Sequence, residues 1–197
     1  MIRCFIFDWG SVLCESDAKA FTDYVCKKHP ELTYETVSQV SKDAQYQLAD
    51  VSDYDYAIQR IADGIGISFD EVVESFNRSQ LTPTFEYARI LKSKGFGVCV
   101  FSNQIPLRCN FIREHYDLSF FDVVIFSNEI QLKKPDTKAY EYLLAHIPFP
   151  ADECVFVDDR QKNIDAGEAV GIKGIHYTTH EDFLLQVKTL GIDFDGL

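Results

Sequence analysis

The chain has 197 residues, 46% of them hydrophobic, and carries 19 basic against 31 acidic side chains for a formal charge of −12. That suffices for one compact core plus a modest insertion and is too little for two full domains. The acidic balance repels nucleic acid and anionic membranes, and no apolar run approaches the roughly 18 residues of a membrane span. The N-terminus passes straight into strand-like sequence without the regions of a signal peptide, so the expected address is cytoplasmic.

In chain order, short apolar segments rich in β-branched and aromatic residues are expected as strands over Ile2 to Phe7, Gly97 to Phe101, Val123 to Phe126, Cys154 to Val157 and Lys173 to His176. Helical spacing separates the later ones, over Thr84 to Lys94, Pro106 to His115, Thr137 to Ala145 and Lys162 to Val170. Gly95 and Gly171 follow helix C-termini, and Asn163 opens a first turn. This alternation predicts an α/β fold with a doubly wound, five-stranded parallel sheet. Cys4, Cys99 and Cys154 fall inside strands, and with no CxxC pair among the six cysteines they read as buried core thiols.

The interval between the first and second strands breaks the rhythm. Residues 15–81 carry helical patterns only, over Asp17 to Lys28, Thr33 to Leu48, Asp53 to Asp63 and Phe69 to Arg78, punctuated by Pro30, Gly64 and Gly66. The expected organisation is a core of residues 1–14 and 82–197 with a small helical cap at 15–81, able to exclude water and recognise substrate. Its aromatic residues Phe21, Tyr24, Tyr46, Tyr54 and Tyr56 read as packing in the first instance.

Three of the expected strands run into polar termini: FIFDWGSVL delivers Asp8, VCVFSNQ delivers Ser102, and FVDDRQKNIDAG delivers Asp158 and Asp159. The stretch KKPDTKAY adds Lys134. In an open parallel sheet all strand carboxyl ends lie along one edge, where such sheets bind ligands, so these groups can converge. Carboxylates, a hydroxyl and one lysine gathered there describe a site for Mg2+ and phosphate. Adjacent carboxylates at one strand end would repel each other without a cation, and oxygen ligands are what magnesium requires.

The four stretches, their order and the helical insertion resemble the haloacid dehalogenase-like (HAD) hydrolase superfamily, in the branch with a small helical cap. Within it, FDWGSVL, SNEIQLKKPDTKAY and FVDDRQKNIDAGEAVGI are most similar to bacterial glucose 1-phosphate phosphatases and to the phosphatase domain of soluble epoxide hydrolases. The resemblance implies that Asp8 attacks phosphorus to form an aspartyl phosphate. It places Asp8, the Gly10 carbonyl and Asp159 around the metal, with Asp158 adjacent through water or as a further ligand. Ser102 and the backbone amide of Asn103 would donate to phosphoryl oxygens, and Lys134 would hold Asp8 and the phosphate together. The implied partner is a small phosphate ester, such as a sugar phosphate.

One departure matters. Most phosphatases of the family carry a second aspartate two residues after the nucleophile, which protonates the leaving oxygen; here Gly10 stands in that place. Such an acid contributes about 10²- to 10⁴-fold, so slow turnover and a preference for good leaving groups are expected. Glu15 or Asp17 could substitute, although both suit the start of a helix. Trp9 could wall the substrate pocket or pack in the core. Two rival readings remain open: a 2-haloacid dehalogenase, which needs no magnesium, and a catalytically weak phosphate-binding or scaffold member.

Overall fold

The computed structural model describes residues 1–48, 54–76 and 78–194. Contacts divide the chain into two compact units, one comprising Met1–Cys14, Leu81–Gln104 and Tyr116–Leu197, the other Glu15–Gln80 and Ile105–His115.

The first unit is built on five parallel strands, β1 (Cys4–Phe7), β2 (Gly97–Ser102), β3 (Val123–Phe126), β4 (Cys154–Asp158) and β5 (Lys173–His176), in the order β3-β2-β1-β4-β5. The three central strands are buried along their whole length, as their apolar composition requires of a sheet covered on both faces. Ser102 ends β2, Asp158 ends β4, and Asp8 immediately follows β1. Register places Phe7 opposite Val157, so Asp8 and Asp158 leave neighbouring strands side by side.

Among the described residues, the second unit contains four helices between β1 and β2, α1 (Asp17–Lys28), α2 (Tyr34–Leu48), α3 (Tyr54–Ile65) and α4 (Phe69–Phe76). Its core is formed by Phe21, Val25, Val37, Ile58, Ile61 and Val72, with Tyr24 packed against it, while Tyr56 is exposed. The expected helix start at Asp53 and the side chains of Tyr46 and Tyr54 lie outside the described residues. Lys28 and His29 both reach Glu71, at 2.7 and 3.1 Å, tying α1 to α4.

Around the sheet lie α5 (Pro83–Ser93), a single turn α7 (Ser127–Ile130), α8 (Thr137–His146), α9 (Gln161–Ala169) and α10 (His180–Thr189). The helix between α5 and α7, α6 (Pro106–His115), belongs to the second unit, where Ile105 packs on the helical core and the buried Arg108 donates to Ser79 at 2.8 Å. Neither α7 nor α10 is foreseen from the sequence pattern. The signal for α10 is nonetheless present: Thr179 caps its first turn by accepting from the Asp182 backbone N–H, and Phe183 and Val187 share one buried face.

One face of the sheet is filled by Cys4, Ile6, Cys99, Phe101, Cys154 and Phe156 against Ala139, Tyr140, Leu143 and Ile164 of α8 and α9. Gly174 in β5 lets α9 approach closely, since a Cβ there would lie 2.3 Å from Ile164 Cγ2 and 2.9 Å from Glu168 Oε1. Gly174→Ala is therefore expected to cost about 1–3 kcal/mol through overpacking and to lower Tm by several degrees, read by calorimetry. An unchanged Tm would show that α9 can shift freely.

At the C-terminal end, Thr84 links α5 to Tyr177 (2.9 Å) and to His180 Nδ1 (3.0 Å). Burial holds the His180 imidazole below its ordinary pKa, with Glu181 opposing. The native state thus binds fewer protons than the unfolded one in this range. The contribution of neutral His180 is complete above about pH 6.5 and is lost as pH falls through the depressed native value. Between about pH 7.5 and about pH 5.5 the wild type should lose more urea resistance than His180→Gln. Equal losses in the two proteins would remove His180 as the cause.

Candidate active site

The strand ends and one loop bring the expected groups together. Lys134, in the loop between α7 and α8, is fully buried and places Nζ 3.0 Å from Asp8 Oδ1 and 2.6 Å from Asp158 Oδ2. The rings of Phe101 and Phe156 flank its ammonium at 5.5 and 5.1 Å. Asp8, Asp158 and Asp159 each present a carboxylate oxygen within 4.8 Å of the others, the one such acidic cluster among the described residues.

The two carboxylates at the end of β4 differ in what surrounds them. Asp158 is wholly buried, and both its oxygens are engaged: Oδ1 accepts from the Arg160 backbone N–H (2.8 Å) and Asn163 Nδ2 (2.9 Å), Oδ2 from Lys134 and again from Asn163 Nδ2 (3.0 Å). Asp159 is partly exposed, with the Ser11 hydroxyl as its neighbour. Ser11 sits at φ 63°, a left-handed conformation uncommon for a residue with a side chain. By its surroundings Asp158 is a fixed counter-charge for Lys134, and Asp159 is the carboxylate able to turn toward a ligand.

Asp8 Oδ1 also accepts from the Trp9 backbone N–H at 2.8 Å, which orients the carboxylate. Burial pushes its pKa up to about 6; Lys134 opposes this, Asp158 and Asp159 add to it, and a hydrogen bond from Ser102 works against it. Burial likewise raises Asp159, reinforced by Asp158. For Lys134 burial disfavours the charged form, but Asp8 and Asp158 outweigh it and the net pKa is raised, so the ammonium persists. Lys134 bonds Asp8 and Asp158 but not Asp159, and burial, reinforced by the neighbouring carboxylates, raises both Asp8 and Asp159.

Ser102 is buried at the end of β2, and its Oγ accepts from Gln104 Nε2 at 3.2 Å, leaving the hydroxyl proton for Asp8. Asn103 turns its side chain to the Lys134 main chain, and Ser127 Oγ accepts from the Gln104 backbone N–H at 3.1 Å. Gly10 lies beside Asp8, and a Cβ built there would meet nothing within 4 Å. Trp9 does not wall a substrate pocket: it is wholly buried, with Phe85 and Tyr116 against its ring. The core alternative for Trp9 is the one realised, because two aromatic residues distant in sequence close over the indole. Among the described residues its Nε1 has no partner, a cost of about 1–3 kcal/mol when dry. Asn163, Gln104 and Ser11 are site residues that sequence reasoning did not single out. For Asn163 the clue is its place in the first turn of α9, five residues beyond Asp158.

A doubly wound parallel sheet with these groups on its carboxyl edge is a ligand-binding α/β architecture with its polar groups at the expected edge. The chain belongs to the haloacid dehalogenase-like hydrolase family, whose model matches residues 2–171. It is 33% identical to the sesquiterpene phosphatase astK of Aspergillus oryzae over 69% of this chain and 72% of that protein. It is 22% identical to the drimenol cyclase drtB of Aspergillus calidoustus over 96% of its own length but spans only 37% of the cyclase. Among solved structures it resembles a HAD family enzyme of Bacteroides thetaiotaomicron in complex with magnesium and inorganic phosphate (TM-score 0.67, 18% identity, 94% of this chain and 99% of that one). The L-2-haloacid dehalogenase of Xanthobacter autotrophicus gives TM-score 0.70 at 16% identity, covering 98% of this chain and 84% of that one. At these identities the structures show a shared fold.

Removing the ammonium while keeping the stem tests the electrostatic account. Lys134→Met would leave Asp158 buried without its cation, and the unliganded protein is expected to lose about 3–5 kcal/mol, measured by urea unfolding at neutral pH. A loss under about 1 kcal/mol would show that the Lys134 and Asp158 pair adds little to the stability of the native state.

Proposed function

We propose that the protein is a magnesium-dependent phosphatase that hydrolyses a small phosphate monoester through an aspartyl phosphate on Asp8. The observation that carries this reading is the charge arrangement of the cluster. Three carboxylates within 4.8 Å of one another have one ammonium bonded among them, that of Lys134, with the Arg160 guanidinium acting on Asp159 through charge alone, so the cluster holds an excess of negative charge that a divalent cation would offset. The donors are oxygens, as magnesium requires. Asp8, Asp159 and the Gly10 carbonyl would hold the ion, with Asp158 behind them. When bound, magnesium supplies neutralisation of the nucleophile and of the phosphoryl group it attacks.

The protein's own groups do the rest. Trp9 N–H and Lys134 hold Asp8 Oδ1, fixing the carboxylate for in-line approach. With phosphate bound, the Ser102 hydroxyl would turn its proton from Asp8 to a phosphoryl oxygen, and the Asn103 backbone amide at the end of β2 would add a second donor. An Asp8 oxygen forms a bond to phosphorus as the ester oxygen leaves; water then attacks phosphorus, the Asp8 carboxylate is released and inorganic phosphate departs. Gly10 offers no proton to the leaving oxygen, so esters whose departing oxygen is already stable, such as aryl or anomeric sugar phosphates, suit the site best. The identity with a sesquiterpene phosphatase supports a second substrate reading, a terpenyl phosphate.

A dehalogenase would use Asp8, Ser102 and Lys134 alike, but carbon chemistry has no need of the Asp158 and Asp159 pair. Turnover of a panel comprising an aryl phosphate, glucose 1-phosphate, glucose 6-phosphate and farnesyl phosphate should stop on chelation and return with magnesium. Asp8→Asn should be inactive in the same assay. Haloacid turnover that survives chelation, with no phosphate released from any ester, would overturn the proposal.

The open space at Gly10 allows a direct test of the missing acid. Gly10→Asp is expected to raise the chemical step on a primary alkyl phosphate by about tenfold or more while changing the aryl phosphate rate little. Equal effects on the two esters, or equal wild-type rates on both when chemistry is limiting, would show that leaving-group protonation is not what the site lacks.

A further inference from the structure

Lys134 must hold its ammonium between two carboxylates, yet it lies in a loop with neither helix nor strand to fix its backbone. Its main-chain groups are instead held by one side chain. Asn103 Oδ1 accepts from the Lys134 N–H at 2.9 Å, and Asn103 Nδ2 donates to the Lys134 C=O at 2.8 Å. Both bonds have good length, and together they satisfy donor and acceptor of one residue as a neighbouring strand would. Asn103 directly follows β2, so its backbone moves with the sheet.

We propose that Asn103 is a positioning residue, whose amide holds the main chain of Lys134 and thereby sets the Lys134 ammonium between Asp8 and Asp158. The role of the ammonium in turnover rests on the phosphatase reading; the latch itself does not. Lysine has four rotatable bonds, and the rings of Phe101 and Phe156 confine its end, so the remaining freedom lies in the loop. If the loop relaxed, the ammonium would settle on the fully engaged Asp158, its nearer partner at 2.6 Å, and lose its 3.0 Å contact with Asp8. Only a primary amide of this length offers both a donor and an acceptor here. Aspartate keeps an acceptor for the N–H and loses the donor to the C=O; alanine loses both.

The test combines a kinetic cycle with a structural readout. Asn103→Ala, Lys134→Ala and the double variant are compared with the wild type on p-nitrophenyl phosphate with magnesium. Asn103→Ala is expected to lower kcat by about tenfold to a hundredfold with KM little changed, and to add no further loss once Lys134 is alanine. If Lys134→Ala turns over too slowly to measure, magnesium-dependent binding of inorganic phosphate supplies the same cycle. Equal losses on both backgrounds, or a raised KM at unchanged kcat, would mean that Asn103 acts on substrate directly and would overturn the proposal. Independently of activity, hydrogen exchange at the Lys134 amide should quicken by about tenfold or more in Asn103→Ala and stay slower in Asn103→Asp. Unchanged protection in Asn103→Ala would overturn the latch. Should the wild type hydrolyse no phosphate ester, the functional reading falls by itself, and amide exchange still decides the latch.

Discussion

The arrangement on which the rest depends is a buried lysine shared between two aspartates. Taking an ammonium and carboxylates out of water is costly, and the attraction between them offsets that cost only when geometry is good and the remaining polar atoms are satisfied. Here Asp158 meets that condition through Lys134, Asn163 and the Arg160 backbone N–H. Asp8 meets it only in part, and its carboxyl is held well above the usual range. The protein's own groups therefore offset the charge at Asp8 only in part, which suits the site to a cation under the proposed function.

Much of the scaffold serves that arrangement. Parallel pairing with Phe7 opposite Val157 aligns Asp8 with Asp158. Gly174 admits α9 close to β5, which carries Asn163 back to the strand end. The three residues after Phe101 divide the work at the other side: Ser102 reaches Asp8, Asn103 the Lys134 backbone, and Gln104 the Ser102 hydroxyl. Positions that share one strand end are tied to separate partners, so a disturbance at one has a short route to the others.

How much of this was legible in the sequence follows from what each feature depends on. The five strands were readable because each is a short run of apolar, β-branched and aromatic residues, and Asp8, Ser102, Asp158 and Asp159 because they stand where such runs end. Lys134 was readable from its KPD setting. The partners of these groups were not, since the hydrogen bonds of Asn103 and Asn163 depend on where a loop and a helix return in space. The placement of Trp9 depended on Phe85 and Tyr116, far along the chain. The Pro106 to His115 helix reads as one more crossover in the alternation, whereas its grouping with the inserted helices arises from Ile105 and Arg108, whose contacts no periodicity reveals.

Trp9 is the chain's single tryptophan, and it follows Asp8 directly with its backbone N–H bonded to that carboxylate. Its indole emission consequently originates from one buried location beside the Asp8 carboxylate. Fluorescence intensity and quenching by dissolved probes can thus follow events at Asp8 without any attached dye, on the native polypeptide and in real time.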